Sequence, residues 1–118
     1  MKKNFSRAER LKEQILKEIA EIIYHSVKDP GMGFTTFTEV ELTKDLQHAT
    51  VYYTVLDQKD KSGTYQALER SKGFVRSELA KRLTLYHVPN LSFSYDSSIE
   101  QGEKIVRILG QLYPNEKG

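Results

Sequence analysis

Apolar residues recur at helical spacing through Leu11, Ile15, Ile19, Ile22 and Val27, with Leu16 and Ile23 widening the stripe. Ser6 and Glu9 stand three residues apart just before it, the spacing of a capping box. The helix should stop at Asp29-Pro30-Gly31, because a proline pushes the preceding residue out of the α region. The period then changes to two. In FTTFTEVELT, residues 34–43, Phe34, Thr36, Thr38, Val40 and Leu42 share one face and Phe37, Glu39 and Glu41 the other, as in a half-buried strand. A short turn, Lys44 to His48, leads to a second strand, ATVYYTVL, with Ala49, Val51, Tyr53 and Val55 inward and Tyr52 and Leu56 outward. Strands this close should pair antiparallel. DQKDKSG, residues 57–63, has no period and reads as a polar loop. LSFSYD, from Leu91, alternates again and predicts a third strand with Leu91, Phe93 and Tyr95 on one side. Ser97 or Ser98 can then cap IEQGEKIVRILGQL, where Ile105, Ile108, Leu109 and Leu112 are helically spaced. The predicted order is α-β-β-α-α-β with a C-terminal helix, an α+β domain with helices on one face of a three-stranded sheet.

The stretch LERSKGFVRSELAKRL, residues 68–83, is helical in pattern but holds a glycine in its middle. On one straight helix Leu68, Val75, Leu79 and Leu83 form a core stripe, yet Lys72 falls between Leu79 and Leu83, and Arg82 falls beside Val75. Burying an unpaired ammonium costs several kcal/mol. A break at Gly73 would resolve the conflict, letting Lys72 turn to solvent at a cost of about 1 kcal/mol for glycine within a helix. A second helix starting there would aim free N–H groups at an anion, flanked by Arg70, Lys72 and Arg76, with the small Ser71 and Gly73 admitting a phosphate. The alternative is that Gly73 only permits close packing against the first helix.

The chain's 118 residues fit one domain, expected to span 1–118 with short flexible ends at about 1–5 and 113–118. The absence of cysteine removes disulfides and thiolate metal sites. No apolar run approaches the roughly 20 residues that span a bilayer, and no apolar segment follows the charged start, so a cytoplasmic location is expected. The overall charge of +2 conceals a pattern. Residues 1–17, with Lys3, Arg7 and Arg10 among their cations, carry +4; residues 70–82, with Lys81 and Arg82, carry +4; the remainder carries −6. Two basic segments on an acidic chain form a polyanion patch if the fold joins them, and are otherwise solvated helix surface.

His25, His48 and His87 lie in separate elements without ligand spacing, and no nucleophile elbow, Walker A loop or HExxH is present. No catalysis, cofactor, metal or small-molecule substrate is expected. The rival reading to nucleic-acid binding is a protein-binding adaptor that uses an exposed aromatic surface of Phe34, Phe37, Tyr52 and Tyr86.

The sequence resembles the ribosome-binding factor A family. The likeness is carried by Ser71-Lys72-Gly73-Phe74-Val75-Arg76, where the family has Ala-x-Gly followed by arginine, and by Asp29-Pro30, Asp45-Leu46, ATVYYTVL and PNLSFSYD in order, from about residue 5 to 112. The resemblance implies a type II K-homology-like (KH-like) fold whose helix–kink–helix replaces the GxxG loop of classical KH domains. It implies a non-catalytic monomer that binds the small (30S) ribosomal subunit and its 16S rRNA during late maturation and rRNA processing, with a link to growth in the cold. RNA-binding residues are then expected at Arg70, Ser71, Lys72, Gly73, Arg76, Lys81 and Arg82, with Lys3, Arg7 and Arg10 as candidates from the basic start.

Overall fold

The computed structural model describes residues 6–83 and 87–98. Helix α1 spans Arg7–Ser26, strand β1 Thr35–Leu42, strand β2 His48–Val55, helix α2 Lys61–Arg82 and strand β3 Asn90–Tyr95, with a 3-10 turn over Gln58–Asp60. The sheet order is β1-β2-β3. β1 and β2 form an antiparallel hairpin, whereas β3 joins β2 in parallel after the crossover through α2. The α+β class and the three-stranded sheet are those the periods imply. The predicted C-terminal helix, Tyr86, Lys3 and both chain ends lie outside the described residues.

α1 starts where its sequence says. The Ser6 hydroxyl accepts from the Glu9 N–H at 3.1 Å. Glu9 does not reach back to complete a capping box; its carboxylate pairs with Lys12 at 3.2 Å. The helix ends at Ser26, ahead of Asp29-Pro30, with Val27 as its cap. Its stripe of Leu11, Ile15, Ile19, Ile22 and Ile23 is buried against Val40, Val51, Leu68, Val75, Leu79, Leu91 and Phe93 in one core. That core lies between the two helices and one face of the sheet.

β1 departs from simple alternation. Phe37 pairs with Tyr53 and Glu39 with Tyr52, so Thr38 is an extra, bulged residue. A single inserted residue reverses the parity of everything before it. Phe37 therefore joins Val40 on the core side, 6.5 Å from the Phe93 ring, instead of facing outward with Glu39. Phe34, which simple alternation groups with Val40 and Leu42, is 70% exposed. Beyond the bulge the pattern holds: Val40 faces Val51 and Leu42 faces Ala49. In β2, Ala49, Val51, Tyr53 and Val55 are buried as expected.

The loop predicted at 57–63 is mostly ordered. The Asp57 carboxylate accepts from the Lys59 N–H at 3.2 Å, and α2 has begun by Lys61. Here the segment after α1 crosses α2 closely. A Cβ on Gly33 would stand 2.7 Å from the Asp60 Cβ, and one on Gly63 would stand 3.1 Å from the Gly31 carbonyl oxygen. The buried Thr64 hydroxyl accepts from the Gly33 N–H at 2.8 Å, which satisfies both groups.

Candidate nucleic-acid interface

α2 runs unbroken through Gly73 as 22 residues of α-helix. The predicted break, and with it a second helix whose first N–H groups are free at position 73, is corrected. The conflict that motivated it is resolved by side chains. Lys72 pairs with Glu69 at 2.9 Å, and its side chain stays a third exposed. Arg82 crosses to α1, where its Nη1 meets Glu18 at 2.9 Å and Glu21 at 3.4 Å. These carboxylates hold the Arg82 guanidinium above its ordinary pKa, through the Glu18 hydrogen bond first. Snorkelling and pairing thus remove the desolvation cost without bending the backbone. The alternative role for Gly73, close packing, is also absent: a Cβ built there meets nothing within 4 Å. Gly73 is an open helical position on the surface.

The other candidate cations fall into distinct roles. Arg70 donates from Nε to Asp29 Oδ2 at 3.0 Å and from Nη2 to Asp29 Oδ1 at 2.8 Å. Asp29 also accepts from the Gly31 N–H at 2.9 Å. Arg70 and then Gly31 hold the Asp29 carboxyl below its ordinary value, and Asp29 holds the Arg70 guanidinium up. This fork clamps the end of α1 to α2. Arg76 donates from Nε to the Pro89 carbonyl at 3.1 Å and from Nη2 to the Val88 carbonyl at 2.7 Å, which fixes the approach to β3. Lys81 pairs with Glu78 at 3.1 Å and is mostly exposed. Arg7 and Arg10 are exposed at the start of α1.

These contacts also show which candidates share a surface. Arg82 meets α1 at Glu18 and Glu21, while Arg70 meets the segment just after it at Asp29, so the two helices run antiparallel. Arg70, Ser71, Lys72, Gly73, Arg76 and Lys81 all lie on α2 but not on one face: Gly73 and Arg76 share one hollow, while Arg70 and Ser71 line another with Phe74 and Asp29. Arg7 and Arg10 lie roughly 12–16 Å beyond the Glu18 contact, given 1.5 Å per residue. Arg7 and Arg10 therefore do not join the cations around Gly73.

Around Gly73 the exposed face of α2 is low. Gly73, Ser77 and Ala80 recur at helical spacing and, with Arg76 and Val88, line a depression of about 300 Å³. Arg76 is half-buried at its rim, held rigid by two carbonyls and with N–H groups to spare. The Ser77 hydroxyl adds a donor. Small side chains under a fixed guanidinium let a phosphate oxygen approach the helix surface, and the arginine has lost its rotamer entropy in advance. Ser77 and Ala80 were not among the sequence candidates; their spacing of four and seven from Gly73 was the available signal. The outer face of the sheet has the opposite character. Glu39, Glu41 and Asp96 surround Tyr52, whose hydroxyl donates to Glu41 at 3.0 Å and is held above its ordinary pKa chiefly by that bond. Cations on the helical side and carboxylates on the sheet side give the domain a preferred orientation toward a polyanion.

Among the described residues no three metal-ligating side chains converge, and no helix is long and apolar enough to cross a membrane. Of the aromatic residues in the rival reading, Phe37 packs against the core and Tyr52 is half-buried, while Phe34 is exposed.

Comparison with known proteins agrees with this architecture. The family model for ribosome-binding factor A matches residues 7–109. A ribosome-binding factor A from Staphylococcus epidermidis is 49% identical over 97% of this chain and 99% of its own. The crystal structure of ribosome-binding factor A from Thermus thermophilus superposes with a TM-score of 0.69 at 28% identity, covering 76% of this chain and 94% of that one. A homology model of the Thermus thermophilus factor, fitted into a cryo-EM map of a 30S complex of that factor, gives a TM-score of 0.65 at 27% identity over 75% of this chain and 93% of that one. The chain belongs to the ribosome-binding factor A family.

Proposed function

We propose that this protein binds the small ribosomal subunit and contacts 16S rRNA through the exposed face of α2, acting without catalysis as an assembly factor in late maturation and rRNA processing. It acts as a monomer in the cytoplasm and supports growth in the cold. The observation that carries the reading is the likeness to the Thermus thermophilus factor fitted into a 30S complex, which extends over 75% of the chain. The charge division between helices and sheet supports the choice of face.

Gly73, Ser77 and Arg76 form the phosphate seat. Lys72 borders it and Lys81 extends it toward the end of α2, while Ser71 offers a separate contact from the hollow it lines with Arg70 and Phe74. Lys72 and Lys81 are held only by glutamates three residues away; such pairs are weak and exchange readily for a phosphate. Arg70 and Arg82 contribute field while clamping α1, and Lys3, Arg7 and Arg10 supply a second, outlying contact. Phosphate and shape contacts dominate over base reading.

Co-sedimentation with purified small subunits tests the proposal. Lys72→Ala and Lys81→Ala remove charge without breaking a tertiary bond. Together they should weaken binding and flatten its salt dependence by about one unit of slope for each lysine. Unchanged affinity and slope would remove this face from the interface.

A further inference from the structure

Arg70, Ser71 and Phe74 stand at spacings of three and four along α2 and so share one face. That face borders a shallow hollow of about 580 Å³ whose other wall is the end of α1, with Ser26, Lys28 and Pro30. Phe74 is 45% exposed. A lone exposed ring is ordinary; this one lines a hollow that also holds cations.

The fork to Asp29 leaves that hollow positive. Asp29 is the one carboxylate in the lining, and it is engaged by the Arg70 Nε and Nη2 at 3.0 and 2.8 Å, which also fixes the guanidinium plane. The Arg70 Nη1 lies outside the fork and keeps its donors. Lys28 is exposed and, among the described residues, meets no carboxylate. Two cations against one carboxylate leave the lining a net charge of +1. The Ser26 and Ser71 hydroxyls can donate or accept. An aromatic face, a fixed planar guanidinium and an unpaired ammonium in one hollow are the parts that hold an unstacked base and its phosphate. An apolar peptide side chain would leave Lys28 and the Arg70 Nη1 without partners, and a duplex keeps its base faces out of reach of Phe74. Phe74 follows Gly73 by one position, about 100° around α2. On a helix about 10 Å across, the two hollows are then roughly 9 Å apart along the surface. One strand can lay a phosphate over Gly73 and a base on Phe74.

We propose that the hollow between Phe74 and Lys28 seats one unstacked nucleotide of single-stranded RNA, its base against the Phe74 ring and its phosphate between Lys28 and the Arg70 Nη1. Stacking reads no sequence, since every base has a π-face. The contact therefore adds a preference for single strands and not for base identity. The inference takes from the ribosomal reading only that the partner is RNA.

Titrating the ¹⁵N-enriched full chain with single-stranded hexaadenylate, beside a hexamer of equal charge that lacks bases, tests it. The amide signals of Lys28, Ser71 and Phe74 should move with hexaadenylate, and the base-free hexamer should bind at least about fivefold more weakly. Phe74→Leu keeps an apolar side chain at a half-exposed position; it should lose about fivefold or more in hexaadenylate affinity with the sheet's chemical shifts in place. Lys28→Gln should lower the salt slope by about 0.7. Equal affinity for the two hexamers, or shifts confined to Gly73, Arg76 and Ser77, would overturn the nucleotide seat and leave the ribosomal reading intact. A doubly phosphorylated peptide that moves the same signals at equal affinity would overturn it in favour of a protein partner. Failure of the chain to sediment with small subunits, with the Phe74 response to hexaadenylate unchanged, would support the seat and remove the ribosomal reading.

Discussion

Replacing Gly73 with alanine separates the two things the structure says of this position. The residue is helical, exposed and without a neighbour for a Cβ within 4 Å. Alanine is favoured over glycine in a helix interior by about 0.8–1 kcal/mol, and here nothing opposes it. For a domain of this size that raises Tm by about 4 °C. The same methyl group stands over the depression shared with Ser77 and Ala80, where a phosphate would sit. Gly73→Ala should therefore melt higher and bind small subunits more weakly. Thermal unfolding by circular dichroism and co-sedimentation on the same preparation read both. A lower melting temperature would refute the unbroken helix, since only a bent or crowded backbone makes alanine unfavourable there. A higher melting temperature with full affinity would refute the placement of a phosphate over the helix.

Gly33→Ala is the opposite case, because its Cβ would meet the Asp60 Cβ at 2.7 Å; a loss of about 1–3 kcal/mol in urea unfolding is expected. Arg76→Lys cannot reproduce the fork to the Pro89 and Val88 carbonyls, and should cost about 1–3 kcal/mol by the same measurement. Ile19→Ala empties a fully buried site and should cost about 2–5 kcal/mol. Asp29, Asp45 and Asp96 are all held below the ordinary aspartate value of 3.8, by Arg70, by the Thr43 hydroxyl and by Ser98 respectively, as the first cause of each. In the window between their depressed values and 3.8 the unfolded chain binds more protons. Stability should thus be level above about pH 4 and fall as acid titrates these groups, in a pH series of urea midpoints; a midpoint that rises on acidification would contradict the pairing.

Much of the fold was legible because each element has one period and one buried face. The α1 stripe and the alternation in β2 are such cases, and their buried residues are those the pattern names. β1 was legible only beyond Thr38, since a bulge shifts parity without leaving a mark in composition. The close crossing of residues 31–33 over the start of α2 depends on three glycines whose spacing has no local meaning until the chain folds. The site was less legible still. Sequence places Arg70, Lys72, Arg76, Lys81 and Arg82 on one segment, with Glu69 and Glu78 in helical reach of the two lysines, but it does not show the distant partners of the arginines. Asp29 lies 41 residues from Arg70 and Glu18 lies 64 from Arg82. Reading those cations as unpaired made a helix break at Gly73 look necessary; the Lys72–Glu69 pair within α2 and the Arg82 pairs across to α1 made it unnecessary. Gly73 stands at an open position of an unbroken helix, neither at a bend nor at a close contact.

The central claim, that a phosphate-facing surface on α2 engages the small subunit, is tested most directly by measuring the affinity of the intact chain for small and large subunits across a salt series. The account predicts binding to the small subunit alone, with log affinity falling linearly and steeply against log salt, at a slope of about 0.7–0.9 per phosphate contact. Affinity for the small subunit that is absent, or that hardly changes with salt, would contradict it.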